Sequence, residues 1–158
     1  MMDEREFERR ARACEKKLFH VCCAILPDAA DREDAIQEAL IKAWRKRSTL
    51  RDESLFETWL VRIVINECKA VLRRQKRRET EELTERIPAP EPPDRTLHDA
   101  LFSLDEKLRL PLTLRYIEGY SMEETAKLTG VPSGTLKHRL QRAKAALREA
   151  LEKGGYRV

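Results

Sequence analysis

Glu79–Arg95 limits this chain's fold more than any other stretch. It holds four prolines and six acidic residues, including the run Ile-Pro-Ala-Pro-Glu-Pro-Pro-Asp that ends at Asp94. Proline fixes φ and supplies no backbone N–H, and clustered prolines and acids argue against a packed element. The stretch therefore reads as a flexible linker and a domain boundary. The chain must then fold as two pieces, 1–78 and 96–158, each with its own apolar residues. Glycine is scarce, with 5 residues, and aromatics are 6% of the chain, which disfavours a sandwich or barrel. The fold class expected is all-α: two small helical domains joined by a flexible linker, the second with a helix-turn-helix.

Apolar residues recur at the helical period on both sides. Phe7, Ala11, Cys14, Leu18, Val21, Cys22 and Ile25 predict one helix from Asp3 to Leu26. Asp31 is placed as the N-cap of a second helix, Arg32 to Lys46, with Glu33 and Asp34 in the first turn, where the helix dipole favours acids. Ser54 and Glu57 have capping-box spacing and predict a third helix from Leu55 to Arg77. Its apolar stripe is Phe56, Trp59, Leu60, Ile63, Val64, Cys68, Val71 and Leu72. Beyond the linker, a short helix ends at Phe102. Ser103 and Glu106 open another, interrupted near Pro111 and stopped at Gly119.

Ser121 and Glu124 form a third capping box, and Gly130 closes that helix. Ser133 then caps a last helix running to Lys153. The Gly130-Val131-Pro132 turn, with Val131 plugging the angle between two short helices, is the pattern of a helix-turn-helix. Leu136, Leu140, Ala143 and Leu147 supply the buried stripe. Thr135, Lys137, His138, Arg139, Gln141, Arg142 and Lys144 are left on the outer faces. Gln and Arg can pair with adenine and guanine edges. Lys137, Arg139 and Lys144 suit phosphates, as does the helix N-terminus at Ser133.

The net charge of +4 says little, but its distribution does. Arg45–Arg47, Arg73–Arg78 and Lys137–Lys144 are basic clusters, which point to a polyanion partner. Arg62, Lys69, Arg73, Arg74, Lys76, Arg77 and Arg78 make a long electrostatic track on the third helix. Aromatics beside such a track can stack on unpaired bases. Trp59 sits on the apolar stripe and reads as core. Phe56, nearer the loop, is open to either role. Asp34, Gln37, Glu38 and Lys42 share a face of the second helix, which by itself reads as solvated.

The four cysteines form no CxxC pair and no zinc spacing, so no metal site and no cofactor is expected. Cys14, Cys22 and Cys68 fall on apolar stripes and read as small core residues. No signal peptide and no membrane-length apolar run is recognised, which leads to the expectation of a reducing cytoplasm. The chain ends soon after the last helix, so no extra C-terminal sensory domain is expected. No nucleotide-binding glycine loop or catalytic triad is present, and the chain is expected not to be an enzyme.

These pieces, in this order, resemble an RNA polymerase sigma factor of the extracytoplasmic-function group. Asp31–Arg47 resembles that family's polymerase-docking helix. Ser54–Arg78 resembles its promoter-melting helix, through Thr58, Trp59, Leu60, Arg62, Ile63 and Asn66. Leu114–Leu151 resembles its second DNA-reading domain, above all GVPSGTLKHRLQRAK.

The resemblance implies a division into region 2 over 1–78, a linker over 79–95, and region 4 over 96–158. It implies that Asp34, Gln37, Glu38 and Trp44 meet the clamp helices of the polymerase β′ subunit, with the β flap as a further contact. Arg51, Ser54, Phe56, Arg62, Asn66, Lys69 and Arg73 would read and open the −10 element, holding a base flipped from the stack. Ser133, Thr135, Lys137, His138, Arg139, Gln141, Arg142 and Lys144 would contact the −35 element, with His138, Gln141 and Arg142 nearest the bases. Ala70 stands where many members carry Asn or Asp.

The partners implied are core RNA polymerase, promoter DNA and an anti-sigma factor, itself membrane-anchored in some cases. The location implied is the bacterial cytoplasm, without membrane insertion, and the setting a stress or envelope response. Free of partners, the two domains would move independently about the linker. Two other readings compete. A stand-alone helix-turn-helix regulator would need a dimer to read two half-sites. A thiol or metal sensor would be built on Cys14, His20, Cys22 and Cys23, although adjacent residues on one helix point apart.

Overall fold

The structure, a computed structural model, describes residues 1–81 and 96–154. Most of the expected linker lies outside the described residues; its first three residues, Glu79 to Glu81, continue a helix. The first half is α1 (Glu4–Ala13), α2 (Glu15–Ile25), α3 (Ala29–Arg45) and α4 (Phe56–Glu81). The second is α5 (Thr96–Phe102), α6 (Glu106–Leu112), a π turn (Thr113–Ile117), α7 (Met122–Thr129) and α8 (Ser133–Lys153). All regular elements among the described residues are helical.

The helices follow the apolar stripes, but their ends differ from expectation for local reasons. The first helix breaks in two at Cys14, whose N–H reaches back to Ala11 O in a tightened turn. The break lets α1 seat Phe7 edge-on against Trp44 and Phe56, at 5.3 and 5.7 Å between centroids. Asp28, not Asp31, caps α3, accepting from the N–H groups of Ala30 and Asp31. Asp31 instead accepts from Gln75 Nε2 of α4 at 2.5 Å. Asp52 replaces Ser54 as the cap before α4: its carboxylate accepts from both the N–H and the hydroxyl of Ser54 across a 3₁₀ turn, Glu53–Leu55. Asp105, not Ser103, caps α6.

Pro111, expected to bend or interrupt its helix, lies inside α6, and the backbone stays helical through Leu112 and Thr113. After it the chain widens into the π turn, with Glu118 N–H bonding to Thr113 O five residues back. Ser121 caps α7 as its spacing predicts. Gly130 ends α7 in the left-handed region at φ 72°, and Val131 N–H closes on Ala126 O. Pro132, not Ser133, occupies the N-cap of α8.

The core of the first half is built around α4. Leu60, Val61, Val64, Ile65 and Cys68 pack against Leu18, Val21, Cys22 and Ile25 of α2 and against Ala35, Ala39 and Ala43 of α3. The alanines recur every four residues, so one narrow face of α3 lies close to α4. A second cluster, Leu104, Leu112, Leu136, Leu140 and Ala143, holds α5, α6 and α8 together, with Val131 packed against it.

The two halves are in contact in the structure. Leu110, Leu114, Tyr120 and Leu128 of the second half join the core of the first. The buried Arg109 guanidinium donates to Ala24 O, at the end of α2, and to Leu104 O, both at 2.6 Å. Burial lowers its affinity for the proton, countered by Glu106 and Asp105.

Tyr120, 6% exposed, keeps its hydroxyl buried beside the Lys17 ammonium. Burial pushes that phenol up to about 12, against an opposing pull from Lys17. Its ordinary value is 10.0, so the unfolded chain loses this proton first. The folded state thus carries its full stability below pH 10 and loses some as pH rises toward 12. The loss expected is about 2–3 kcal/mol, at about 1.4 kcal/mol per pKa unit. Tyr120→Phe should remove that part of the decline in urea unfolding compared between about pH 8 and about pH 11. An equal decline in both proteins would show that another group carries it.

Candidate nucleic-acid interface

Packing of the alanine stripe decides what α3 presents to solvent. With Ala35, Ala39 and Ala43 against α4, residues Asp34, Gln37, Glu38 and Ile41 turn outward. Ile41 is 46% exposed, an apolar residue beside two acids that sequence reasoning passed over. The available signal was its spacing: three residues after Glu38 and seven after Asp34, on the same face. Lys42 leaves that face; its ammonium pairs with the buried Glu67 carboxylate at 2.6 Å. Gln37 lines an open groove of about 1210 Å³ between α1–α2 and α3, whose apolar wall includes Phe7, Leu18, Phe19 and Ile36. Trp44 closes the end of this groove, half-buried, with the Arg47 guanidinium 3.6 Å over its ring.

The loop before α4 exposes Arg51, Ser54 and Leu55. Phe56 does not belong with them. It is 3% exposed, packed between Phe7 and Trp59, so its ring has no free face for a base. The reason is register: Phe56, Leu60 and Val64 are four residues apart and share the core face of α4. Leu55, 55% exposed, is the apolar side chain that the loop offers outward. Trp59 is half-buried against the same core, as its stripe position implies.

Along α4, Arg62, Asn66, Lys69, Arg73 and Arg77 follow one another by three or four residues, on the side away from the fully buried stripe. Lys69 is half-buried and the others exposed. A helix rises 1.5 Å per residue, so this stripe runs for roughly 20 Å, enough to follow several phosphates of a strand. Its first member, Arg62, points toward α7, with Nη2 3.5 Å from Lys127 O.

The second surface is on α8. Leu136, Leu140 and Ala143 are buried, which turns Thr135, His138, Gln141 and Arg142 to solvent with Ser133 and Lys137. Lys144 is exposed, its ammonium 4.6 Å over the ring of Tyr116. Arg139 is half-buried on the flank. The Gly130 turn fixes the angle between α7 and α8, so one helix braces the other while its polar face stays open. Gln141 and Arg142 have the donor geometry for base edges; Lys137 and Lys144 lie beside them as point charges.

Thiol chemistry finds no support in this geometry. Cys22 and Cys68 touch at 3.6 Å inside the core. Contact with the Cys22 thiol, followed by burial, holds the Cys68 thiol far above its ordinary value, and burial also raises Cys14. Thiols kept protonated this way are poor nucleophiles and poor ligands. Among the described residues, no group of three or more His, Cys, Asp or Glu side chains is placed to hold a metal ion, and no helix is long and apolar enough to cross a membrane.

The chain is similar to known proteins along most of its length. Sigma-70 region 2 matches residues 11–78, and Sigma-70, region 4 matches residues 94–147. The chain is 33% identical to the RNA polymerase sigma-H factor of Pseudomonas aeruginosa, across 95% of this chain and 88% of that protein. It is 32% identical to the ECF RNA polymerase sigma factor SigM of Mycobacterium tuberculosis, across 94% and 79%. Among solved structures, the sigma factor RpoE of Bartonella quintana, in complex with the anti-sigma factor NepR, aligns with a TM-score of 0.80. It is 25% identical, over 92% of this chain and 96% of that one.

Proposed function

We propose a division of labour that proceeds from one premise: this chain belongs to the extracytoplasmic-function group of the sigma-70 family. It is a transcription initiation factor that binds core RNA polymerase and directs it to a set of promoters. It acts through binding energy alone, carrying out no covalent step, and it works in the bacterial cytoplasm, where the polymerase is. Stress or envelope damage is the setting that the group implies.

Residues 1–78 serve as region 2, 79–95 as the linker and 96–158 as region 4. Asp34, Gln37, Glu38 and Ile41 dock on the β′ clamp helices, with Trp44 shaping the adjacent groove, and region 4 meets the β flap. Arg51, Ser54 and Leu55 form the loop that receives an unpaired −10 base. Arg62, Asn66, Lys69 and Arg73 track its strand. On α8, His138, Gln141 and Arg142 read the −35 element, while Ser133, Thr135, Lys137, Arg139 and Lys144 hold the phosphates. An anti-sigma factor is the regulatory partner, as for the solved relative bound to NepR.

One observation carries this reading: three separate polar faces, on α3, α4 and α8, are each turned outward by packing of the opposite stripe. A stand-alone regulator would leave the faces of α3 and α4 without a task. Run-off transcription with core polymerase from the same organism and a genomic DNA library tests the proposal. Specific start sites are expected; an active core left unstimulated on every template would sink it. In the same assay Arg142→Ala should relax discrimination at one −35 position by about 1–3 kcal/mol. A uniform loss across all sequences would make Arg142 a phosphate contact.

A further inference from the structure

The loop proposed to receive an unpaired −10 base has little structure of its own. Residues 46–55 join α3 to α4 through two short 3₁₀ turns, Arg47–Thr49 and Glu53–Leu55. Arg51, Asp52, Glu53, Ser54 and Leu55 are all exposed. Asp52 bonds to Ser54 inside the loop, which shapes the turn without fixing it relative to the helices. A segment of this kind moves unless other elements hold it. A reading site must be held to within about 0.5 Å to discriminate.

The hold comes from α1. Arg10 Nη1 donates to Glu53 O at 2.8 Å, and Nη2 donates to the Glu53 carboxylate at 3.1 Å. The remaining nitrogen, Nε, donates to Glu6 Oε1 at 2.7 Å. Glu6 lies one turn back on α1, so this bond aims the guanidinium at the loop. The Arg10 side chain is only 26% exposed, and its charge lies 6.0 Å from the centre of the Phe56 ring, at the start of α4.

The same segment ties the other end of the loop. Met2 is buried, and its carbonyl accepts from Arg47 Nε at 3.2 Å, while Arg47 Nη1 donates to Trp44 O at 2.8 Å. Between the two ties Phe7 packs on Trp44 and Phe56, which flank the loop on its two sides.

We propose that Arg10 is a positioning residue for −10 recognition. Through its two bonds to Glu53 it fixes the loop against α1 in the shape that receives the unpaired base. It acts through the loop and touches no nucleotide. The inference rests on the −10 reading of this loop and extends it to a helix given no part in docking or DNA contact.

Arginine suits the task. Its planar fork satisfies one carbonyl and two carboxylates at once. A lysine ammonium would keep the attraction to the carboxylates but lose that geometry. The bond to Glu53 O acts on the main chain between Asp52 and Ser54, at the centre of the loop. A loop ordered beforehand loses less freedom when the base arrives, which strengthens binding without adding a contact.

The test uses the full chain bound to core polymerase. The probes are labelled single-stranded oligonucleotides carrying the −10 element of a promoter found by run-off transcription, each base replaced in turn. Arg10→Ala should bind the matched oligonucleotide about 5- to 20-fold more weakly, the range for losing hydrogen bonds to a charged group. It should also lose most of its discrimination at one base. Arg10→Lys should lie between the two proteins. The slope of log affinity against log salt should stay that of the wild type. Glu6→Ala should show a smaller loss of the same kind, and should add nothing to Arg10→Ala. Thermal unfolding places the assay well below each midpoint, where a fall in stability alone leaves discrimination intact.

Undiminished discrimination in Arg10→Ala, beside a discriminating wild type, would overturn the positioning role and leave the −10 reading standing. A slope flattened by about 0.7 would also overturn it, by placing Arg10 on a phosphate itself. If the wild-type complex binds matched and substituted oligonucleotides alike, the −10 reading of the loop fails and the role of Arg10 falls with it.

Discussion

Asp34→Lys/Glu38→Lys should cost about 100- to 1000-fold in affinity for core polymerase, while the protein stays folded. Truncating one partner of a desolvated charge pair costs about 2–5 kcal/mol, and reversal adds repulsion. Both carboxylates are exposed on the outer face of α3, and neither forms an ion pair among the described residues. Their loss should therefore shift stability by no more than about 0.5 kcal/mol, the usual range for surface changes. Titration of labelled protein with core enzyme, paired with thermal unfolding, separates the two effects. Unchanged affinity would move the docking surface off this face. Ile41→Asp, on the same face, should weaken binding without altering its salt dependence as strongly.

The second large effect belongs to α4. Lys69→Gln/Arg73→Gln/Arg77→Gln should reduce binding to a single-stranded −10 oligonucleotide by about 100-fold at low salt. It should also flatten the plot of log affinity against log salt by about 2 units, since each neutralised phosphate on a single strand contributes about 0.7. The flattening is the diagnostic part. Side chains that only stacked on bases would lower affinity and leave the slope in place. An unchanged slope would remove the phosphate track from this stripe. Loss of charge at these positions should not disturb the core, because Leu60, Val64 and Cys68 pack on the other side.

Much of the molecule was legible in advance because helical period is a one-dimensional signal. Residues three and four apart share a face whatever surrounds them. This is why the outward face of α8 could be listed from Leu136, Leu140 and Ala143, and why Trp59 could be assigned to the core. Helix ends were harder. Asp28 and Asp31 both carry a capping carboxylate, as do Asp52 and Asp105 beside Ser54 and Ser103. Which one caps depends on the chain's entry angle into the helix, set by packing elsewhere. Phe56 and Leu55 show the same limit: a shift of one position decides which side chain faces the core and which faces DNA.

The sequence by itself determined that the chain is helical and that α3, α4 and α8 carry distinct polar faces, since both follow from local spacing. Only the tertiary structure decided that Lys42 turns to Glu67, that Cys22 meets Cys68, and that Arg109 joins the second half to Ala24. Those contacts join residues far apart in the chain. An apolar or charged side chain carries the same local signal whether it packs within its own domain, across to the other, or on a partner.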